Sequence, residues 1–248
     1  MDKIAIVVPA RSNSTRLPNK MLLNETKYPL IIHTLIRARE AMDNSNGVIS
    51  RVLVATDAIE IAKIAKKYGF KSIMTRHDHH SGTDRLAEVA NNITEKYILN
   101  LQGDEPEMPI NTIISVASAI MNNNDSLVTA AFGITIDQMA NPDLVKVVVD
   151  SNGYALYFSR AAIPHLRKDR SIDKFKPLGH LGIYAFARRL LIKFSTWPEG
   201  NLEYIEALEQ LRFLEHGYKI KVVTVDDCTK GIDTIKDYED FVKRSTLQ

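Results

Sequence analysis

Cysteine is almost missing from this chain. Cys228 is the only one in 248 residues. No disulfide can close within one molecule, which fits a reducing compartment. A lone thiol of this kind is more often packed than nucleophilic. Long apolar runs are missing as well. None reaches the roughly 18–20 residues that cross a bilayer, so no membrane insertion is expected. Met1-Asp2-Lys3 leads straight into a strand-like run without a signal-peptide pattern, and a cytoplasmic location is the expectation. Excess charge of either sign is absent, with a net charge of +2 from 32 Lys and Arg against 30 Asp and Glu. A nucleic-acid binder usually carries a strong basic stripe, and none is visible. Repeats, low-complexity tracts and a clear interdomain linker are also lacking. A single domain over residues 1–248 is expected.

What is present begins with one cationic stretch. "VVPARSNSTRLPNK" (Val7–Lys20) follows an apolar run with Arg11, Arg16 and Lys20, and contains no glycine. It therefore matches neither a Walker loop nor a dinucleotide fingerprint. Any anion bound here must be held by side-chain cations and by backbone N–H groups of Ser12, Asn13, Ser14 and Thr15. Charge-assisted hydrogen bonds of this kind contribute about 1.5–3 kcal/mol each. The plainer alternative is a solvated basic turn.

Strand-like and helix-like segments alternate through the first half. Ile4–Val8, Arg51–Thr56, Ser72–Thr75 and Tyr97–Gln102 read as strands. Leu30–Met42, Ala58–Gly69 and the segment from Thr83 to Ile93 read as helices, with Gly69 as a C-terminal stop. This alternation predicts an α/β fold with a parallel sheet and right-handed crossovers. Ligands of such sheets lie beyond the carboxyl ends of the strands. Four polar segments then share one rim: Pro9–Lys20, Ala55–Asp57, Arg76–Arg85 and Gln102–Pro106. The second half adds strands at "LVTAAFGI", "LVKVVVD" and Tyr154–Arg160, a pattern of antiparallel strands set into the α/β plan. "NLEYIEALEQLRFLEHG" reads as one helix capped by Asn201 and stopped at Gly217. "KIKVVTV" reads as a last strand and "DYEDFVKR" as a last helix.

Several motifs carry possible chemistry. In "LQGDEP", Asp104 and Glu105 emerge at the rim. Carboxylates beside a polyphosphate require an intervening cation, for which Mg2+ is suited. A simple polar turn closed by Pro106 is the alternative. Asp233 in "KGIDT" offers a second carboxylate, although an Asp before a helix is most often an N-cap. His77, His79 and His80 lie too close together for a zinc site, and no cysteine supports one. Ser81-Gly82-Thr83 reads as a tight turn that places backbone groups against a base. Arg160 ends an apolar strand, where a buried guanidinium needs an anion. Aromatics on strands are usually core, and Glu209 and Gln210 fall mid-helix, where a solvated face is the commoner reading.

The ordered set "PARSNSTRLPNK", "VATD", "TRHDHHSGTDRLAEV", "LQGDEP", "NPDLVKVVVDSNGYALYFSRAAIP", "HLGIYAF", "LEYIEALEQLR" and "GIDT" resembles the 3-deoxy-manno-octulosonate cytidylyltransferases (CMP-Kdo synthetases) over nearly the whole chain. The resemblance implies a nucleotide-diphospho-sugar-transferase-like (Rossmann-like) three-layer α/β sandwich. Its sheet would be mixed but mainly parallel, with a small antiparallel dimerisation excursion at about residues 129–190. It also implies transfer of CMP from CTP to Kdo, Mg2+ dependence, a homodimer and a role in lipopolysaccharide synthesis. By the same resemblance Arg11, Arg16 and Lys20 hold the CTP phosphates, and Asp104 and Asp233 ligate the metal. Arg76, Ser81, Gly82 and Thr83 lie near the cytidine, and Gln102 lies between nucleotide and sugar. Arg160, His180, Tyr184, Glu209 and Gln210 line the sugar site.

Asn19 departs from the family, which usually has glycine there. Asn is the residue that best tolerates left-handed backbone angles after glycine. "KYP" at Lys27–Pro29 replaces a "GKP" turn, and "GIDTIKD" keeps Asp233. Other readings are the same transfer to 8-amino-Kdo or a sialic-acid-like sugar, and a non-catalytic nucleotide-binding regulator. Retention of both carboxylates and all three cations argues against the regulator.

Overall fold

The computed structural model describes residues 2–11, 17–79, 81–122, 126–167, 175–226, 229 and 231–246. Ser12–Arg16, His80 and Cys228, all considered above, lie outside the described residues. In chain order the elements are β1 Ile4–Ala10, α1 Leu30–Asp43, β2 Ile49–Thr56, α2 Ile59–Lys67, β3 Lys71–Met74, α3 Gly82–Ala90, β4 Tyr97–Asn100 and α4 Ile110–Asn122. There follow β5 Leu127–Gly133, β6 Lys146–Val149, β7 Ala155–Ser159, β8 Leu178–Ala187, α5 Arg188–Phe194, α6 Asn201–Glu206, α7 Gln210–Glu215, β9 Lys221–Val225 and α8 Ile235–Thr246.

The strands form one sheet of order β3-β2-β1-β4-β8-β5-β9, with β6 and β7 branching from β8. β1 pairs in parallel with β2 and β4, β2 with β3, and β5 with β9, while β8 runs antiparallel to β4 and β5. The expected mixed, mainly parallel α/β sheet is what the chain adopts. Every residue of β1 is buried, so both faces of the sheet are covered, as a continuous apolar run in a parallel strand requires. α1 packs with α4, and α3 packs with α5. β6 and β7 form an antiparallel hairpin.

One element differs from the sequence reading. The helix expected through Asn201–Gly217 is two short helices, broken at Ala207, whose φ is 51°. The break is held by charged donors at the end of α6. Arg160 Nε donates to the Glu206 carbonyl at 2.8 Å, and its terminal nitrogen reaches the Ala207 carbonyl at 3.4 Å. Glu203 and Arg212 pair bidentately across the break, both contacts at 2.5 Å. Such a pair fixes two helix segments at an angle rather than in line. Asn201 is not the cap. Gly200 precedes α6, and its N–H donates to the Glu203 carboxylate at 3.0 Å. Gly217, with φ 76°, does stop α7. The break moves Glu209 from mid-helix to the start of α7.

A small second cluster of Leu17, Leu30, Ile232, Tyr238 and Phe241 docks α8 onto the start of α1. Glu25 and Tyr238 join the same two regions, the Glu25 N–H donating to the Tyr238 hydroxyl at 3.0 Å. This contact carries the chain around Asp233 back to the N-terminal loop.

Asn19 adopts the left-handed conformation, φ 54°, and leads into a 3-10 turn at Lys20–Leu22. Left-handed angles cost an ordinary L-residue about 1–2 kcal/mol. Asn19→Gly is therefore expected to keep full stability, and Asn19→Val to lose about that amount. Urea denaturation of the two variants checks this. Equal stability of both variants contradicts it.

Candidate active site

The carboxyl ends of the parallel strands gather the polar segments. A cavity of about 300 Å³ is lined by Arg11, Lys20, His79, Ser81, Gly82, Arg85, Gln102, Asp104, Glu209 and Asp233, among others. It draws on β1, the start of α3, the segment after β4, the start of α7 and the segment before α8. Three of the four segments expected on one rim line it. The fourth joins through Asp57, whose carboxylate is 3.1 Å from Arg85. Gly103 is needed for this convergence: a Cβ there would lie 2.9 Å from the Pro9 carbonyl.

Lys20 is 6% exposed. Its Nζ lies 2.6 Å from Asp104 and 3.6 Å from Asp233, and donates to the Ile232 carbonyl at 2.8 Å. An ammonium this deep requires such partners. Asp233 is not the N-cap of α8. Thr234 is: the Asp237 N–H donates to its hydroxyl at 3.2 Å, and Asp237 in turn accepts the Thr234 N–H at 2.9 Å. This reciprocal cap satisfies the helix terminus and leaves the Asp233 carboxylate facing Lys20. The neighbouring Glu105 is pushed up to about 8 by burial, then by the charges of Asp104 and Asp233. Asp104 and Asp233 thus bring negative charge to the wall that holds Lys20, and Arg11 lines the same cavity.

Ser81 does not sit in a mere turn. It caps α3, accepting the Asp84 N–H at 3.1 Å, and Gly82 and Thr83 form the first helical turn. The positive end of α3 therefore borders the cavity, a site suited to anions and polar ligands. Glu88, one turn further on, accepts from His79 and from the Arg76 N–H, the latter at 3.1 Å. Its carboxyl is held below the usual range by those hydrogen bonds and by the charge of Arg76, against the cost of burial. Glu88 thereby pins the segment that carries Arg76 and His79. Arg76 is exposed, pairs with Asp78 at 3.6 Å and lines a wider groove of about 920 Å³ alongside Asp84, Glu88 and Arg212.

A second cavity, about 250 Å³, shares Gln102 and Glu209 with the first. Asn100, Thr83, His180, Gly182, Tyr184 and Gln210 also line it. His180 bonds the Thr129 hydroxyl at 3.0 Å, and burial pushes its imidazole down to about 3. Burial and the charge of Glu209 raise the Tyr184 phenol well above its ordinary value, so it stays an O–H donor. Glu209 is raised by burial, then opposed by hydrogen bonds from Thr83 and Ser81. Four of the five expected sugar residues line this cavity. Arg160 does not. Its guanidinium is taken up by the carbonyls of Glu206 and Ala207 at the end of α6 and of Pro142, so its partners are backbone carbonyls rather than an anion. Asn100, Gly103 and Gly182 are site residues that the sequence reading omits. The one available cue was a polar Asn closing the apolar strand "YILN".

The His180 shift has a measurable consequence. The unfolded imidazole titrates near 6.5 and the folded one near 3, so the unfolded chain binds an extra proton between them. Stability is complete above the upper value and falls with pH through that window, by up to about 1.4 kcal/mol per pH unit. His180→Gln removes this dependence. Calorimetric melting from pH 7 to pH 4 is expected to show a shallower decline for the variant. An unchanged slope contradicts a neutral His180 in the folded protein.

The cytidylyltransferase family model matches residues 5–220. The structure of CMP:2-keto-3-deoxy-manno-octonic acid synthetase complexed with CTP superposes with a TM-score of 0.92 at 36% identity, covering 99% of each chain. A cytidylyltransferase from Leptospira borgpetersenii serovar Hardjo-bovis gives 0.65 at 18%, covering all of this chain and 88% of its own. The 4-diphosphocytidyl-2C-methyl-D-erythritol synthase from Anaerococcus prevotii gives 0.63 at 14%, covering 100% and 99%. The last two share the fold alone. The matched family model, and a CTP-complexed relative aligned over nearly every residue, place the chain in the cytidylyltransferase family of nucleotidyltransferases.

Proposed function

We propose that the protein transfers CMP from CTP to the anomeric hydroxyl of Kdo, releasing pyrophosphate, for lipopolysaccharide synthesis. The observation that carries this reading is the 36% identity over 99% of the chain to a CMP-Kdo synthetase complexed with CTP. The paired cavities support it. The first, bordered by Arg11 and the positive end of α3, suits a nucleotide. The second, lined by His180, Tyr184, Glu209 and Gln210, suits a polyhydroxylated sugar. Gln102 and Glu209 line both, where the two substrates must meet.

Phosphoryl-type transfer depends on positioning and charge neutralisation more than on covalent chemistry. Arg11, with Arg16 from the same loop, is assigned to the phosphates of the leaving group. Ser81, Gly82, Thr83 and Arg76 are assigned to the cytidine side. Asp104 and Asp233 both approach the Lys20 ammonium, so their oxygens converge on one cationic position. Two hard carboxylates beside a phosphate cavity fit Mg2+, which takes one or two carboxylates and completes its shell with phosphate oxygens and water. When bound, the ion supplies charge neutralisation at the α-phosphate and acidifies the attacking hydroxyl. Lys20 keeps the two carboxylates together and adds positive charge beside them. His180, with its value near 3, is too weak a base at neutral pH to take the hydroxyl proton. It serves as a neutral hydrogen-bonding wall. We also assign a homodimer, supported by the exposure of Leu156 on β7 and of Tyr204 and Ile205 on α6, which are 64%, 75% and 77% exposed.

Pyrophosphate release with CTP, Kdo and Mg2+ is the direct test, with UTP, ATP and EDTA as controls and with 8-amino-Kdo and a sialic acid as rival acceptors. Turnover is expected with CTP and Kdo, and loss of about 10²–10³-fold in Asp104→Asn. Near-normal turnover of that variant at saturating Mg2+ sinks the metal assignment. Preference for another acceptor sinks the assignment of Kdo.

A further inference from the structure

The second cavity holds two polar atoms that none of the described residues satisfies. Asn100 is 1% exposed, yet its Oδ1 has no hydrogen-bond partner among the described residues. Glu209 Oε2 is in the same position, although Thr83 and Ser81 hydrogen-bond the carboxylate. Both residues line the one cavity. Leaving a buried acceptor unpaired is costly, and native proteins rarely tolerate it without a functional reason.

Local structure explains why the Asn oxygen faces this space. Asn100 is the last residue of β4 and pairs in register with Tyr184 of β8. Side chains of one strand alternate between faces, and His180, Gly182, Tyr184 and Phe186 of β8 all line this cavity. Between His180 and Tyr184 stands Gly182, where an added Cβ would meet nothing within 4 Å. Gly182 has ordinary negative φ, because it is not among the glycines with positive φ. No left-handed angle therefore calls for glycine there; Gly182 lies where the β5–β8 register shifts, and it leaves open floor space beside His180 and Tyr184.

We propose that Asn100 is a specificity-determining residue of the sugar cavity, its Oδ1 accepting one ligand hydroxyl while Glu209 Oε2 accepts another, above a floor that Gly182 keeps open. This rests on the sugar-transfer reading above and deepens it. Two fixed acceptors select a ligand presenting two O–H donors into the cavity, and they repel an anion at the same spot. The hydroxylated part of an acidic sugar therefore points inward, and its carboxylate points elsewhere. A site built to bond a hydroxyl discriminates strongly against the analogue lacking it.

The test uses the full chain with CTP and Mg2+. Wild-type turnover with Kdo is measured first; without it the sugar-transfer reading itself fails, and the result is recorded against that reading. Asn100→Leu is then expected to raise KM for the sugar about tenfold, with KM for CTP within about twofold. Its melting temperature should hold or rise, since an unsatisfied buried amide has been replaced by an apolar group. A purely structural Asn100 would instead lower melting and disturb both KM values. Gly182→Ala is the companion variant: alanine suits a strand better than glycine, so stability holds while sugar KM rises. Across a series of monodeoxy sugars, the Asn100→Leu penalty should vanish for one analogue, the signature of a direct pair. The proposal is overturned by an unchanged sugar KM in both variants. A penalty that is equal for every analogue also overturns it.

Discussion

The site depends on one buried ammonium and the carboxylates around it. Lys20 sits beneath the rim between Asp104 and Asp233 and also donates to the Ile232 carbonyl. These residues come from the N-terminal loop, the segment after β4 and the approach to α8. An ammonium removed from water must be surrounded by acceptors, and removing one partner leaves an uncompensated charge. Three remote segments are thus held in one place by a single electrostatic requirement. Other contacts are arranged around it. The Leu17–Ile232–Phe241 cluster presses the C-terminal region inward, Thr234 takes over the capping of α8, and Gly103 lets the chain after β4 pass close to Pro9.

The same economy of roles recurs at the break between α6 and α7. Arg160 and the Glu203–Arg212 pair end one helix and start the next. Glu209 is swung onto the shared wall of both cavities as a result. Arg160 was expected at the sugar. In the structure it does not line the second cavity, and its guanidinium holds the helix end next to Glu209. Its partners are backbone carbonyls, and an arginine at a helix C-terminus bonds the last carbonyls favourably.

Legibility of the fold varied with how one-sided each signal was. β1, the core of β2 and β4 are apolar runs, and α2 has a clean polar face, so both kinds of element could be read directly. α4 is absent from the sequence reading although Asn111, Ser115, Ser118 and Asn122 fall at helical spacing, because that stripe is built of small, uncharged residues in an otherwise apolar segment. The helix through Asn201–Gly217 was read as continuous, because its residues all favour helix and nothing local marks Ala207. The signal for that break lies in Arg160, 47 residues earlier in the sequence.

Sequence alone determined which charged groups exist and in what order. It therefore determined the alternating α/β plan, the cationic loop, both carboxylates and the family they resemble. Tertiary structure decided what each group faces. It turned Lys20 toward Asp104 and Asp233, gave the capping of α8 to Thr234, split a helix to deliver Glu209, and buried Asn100 beside an open floor at Gly182. The physical reason is that burial and pairing set the chemistry of an ionisable or amide group. Both depend on contacts between residues far apart along the chain, which local pattern does not encode.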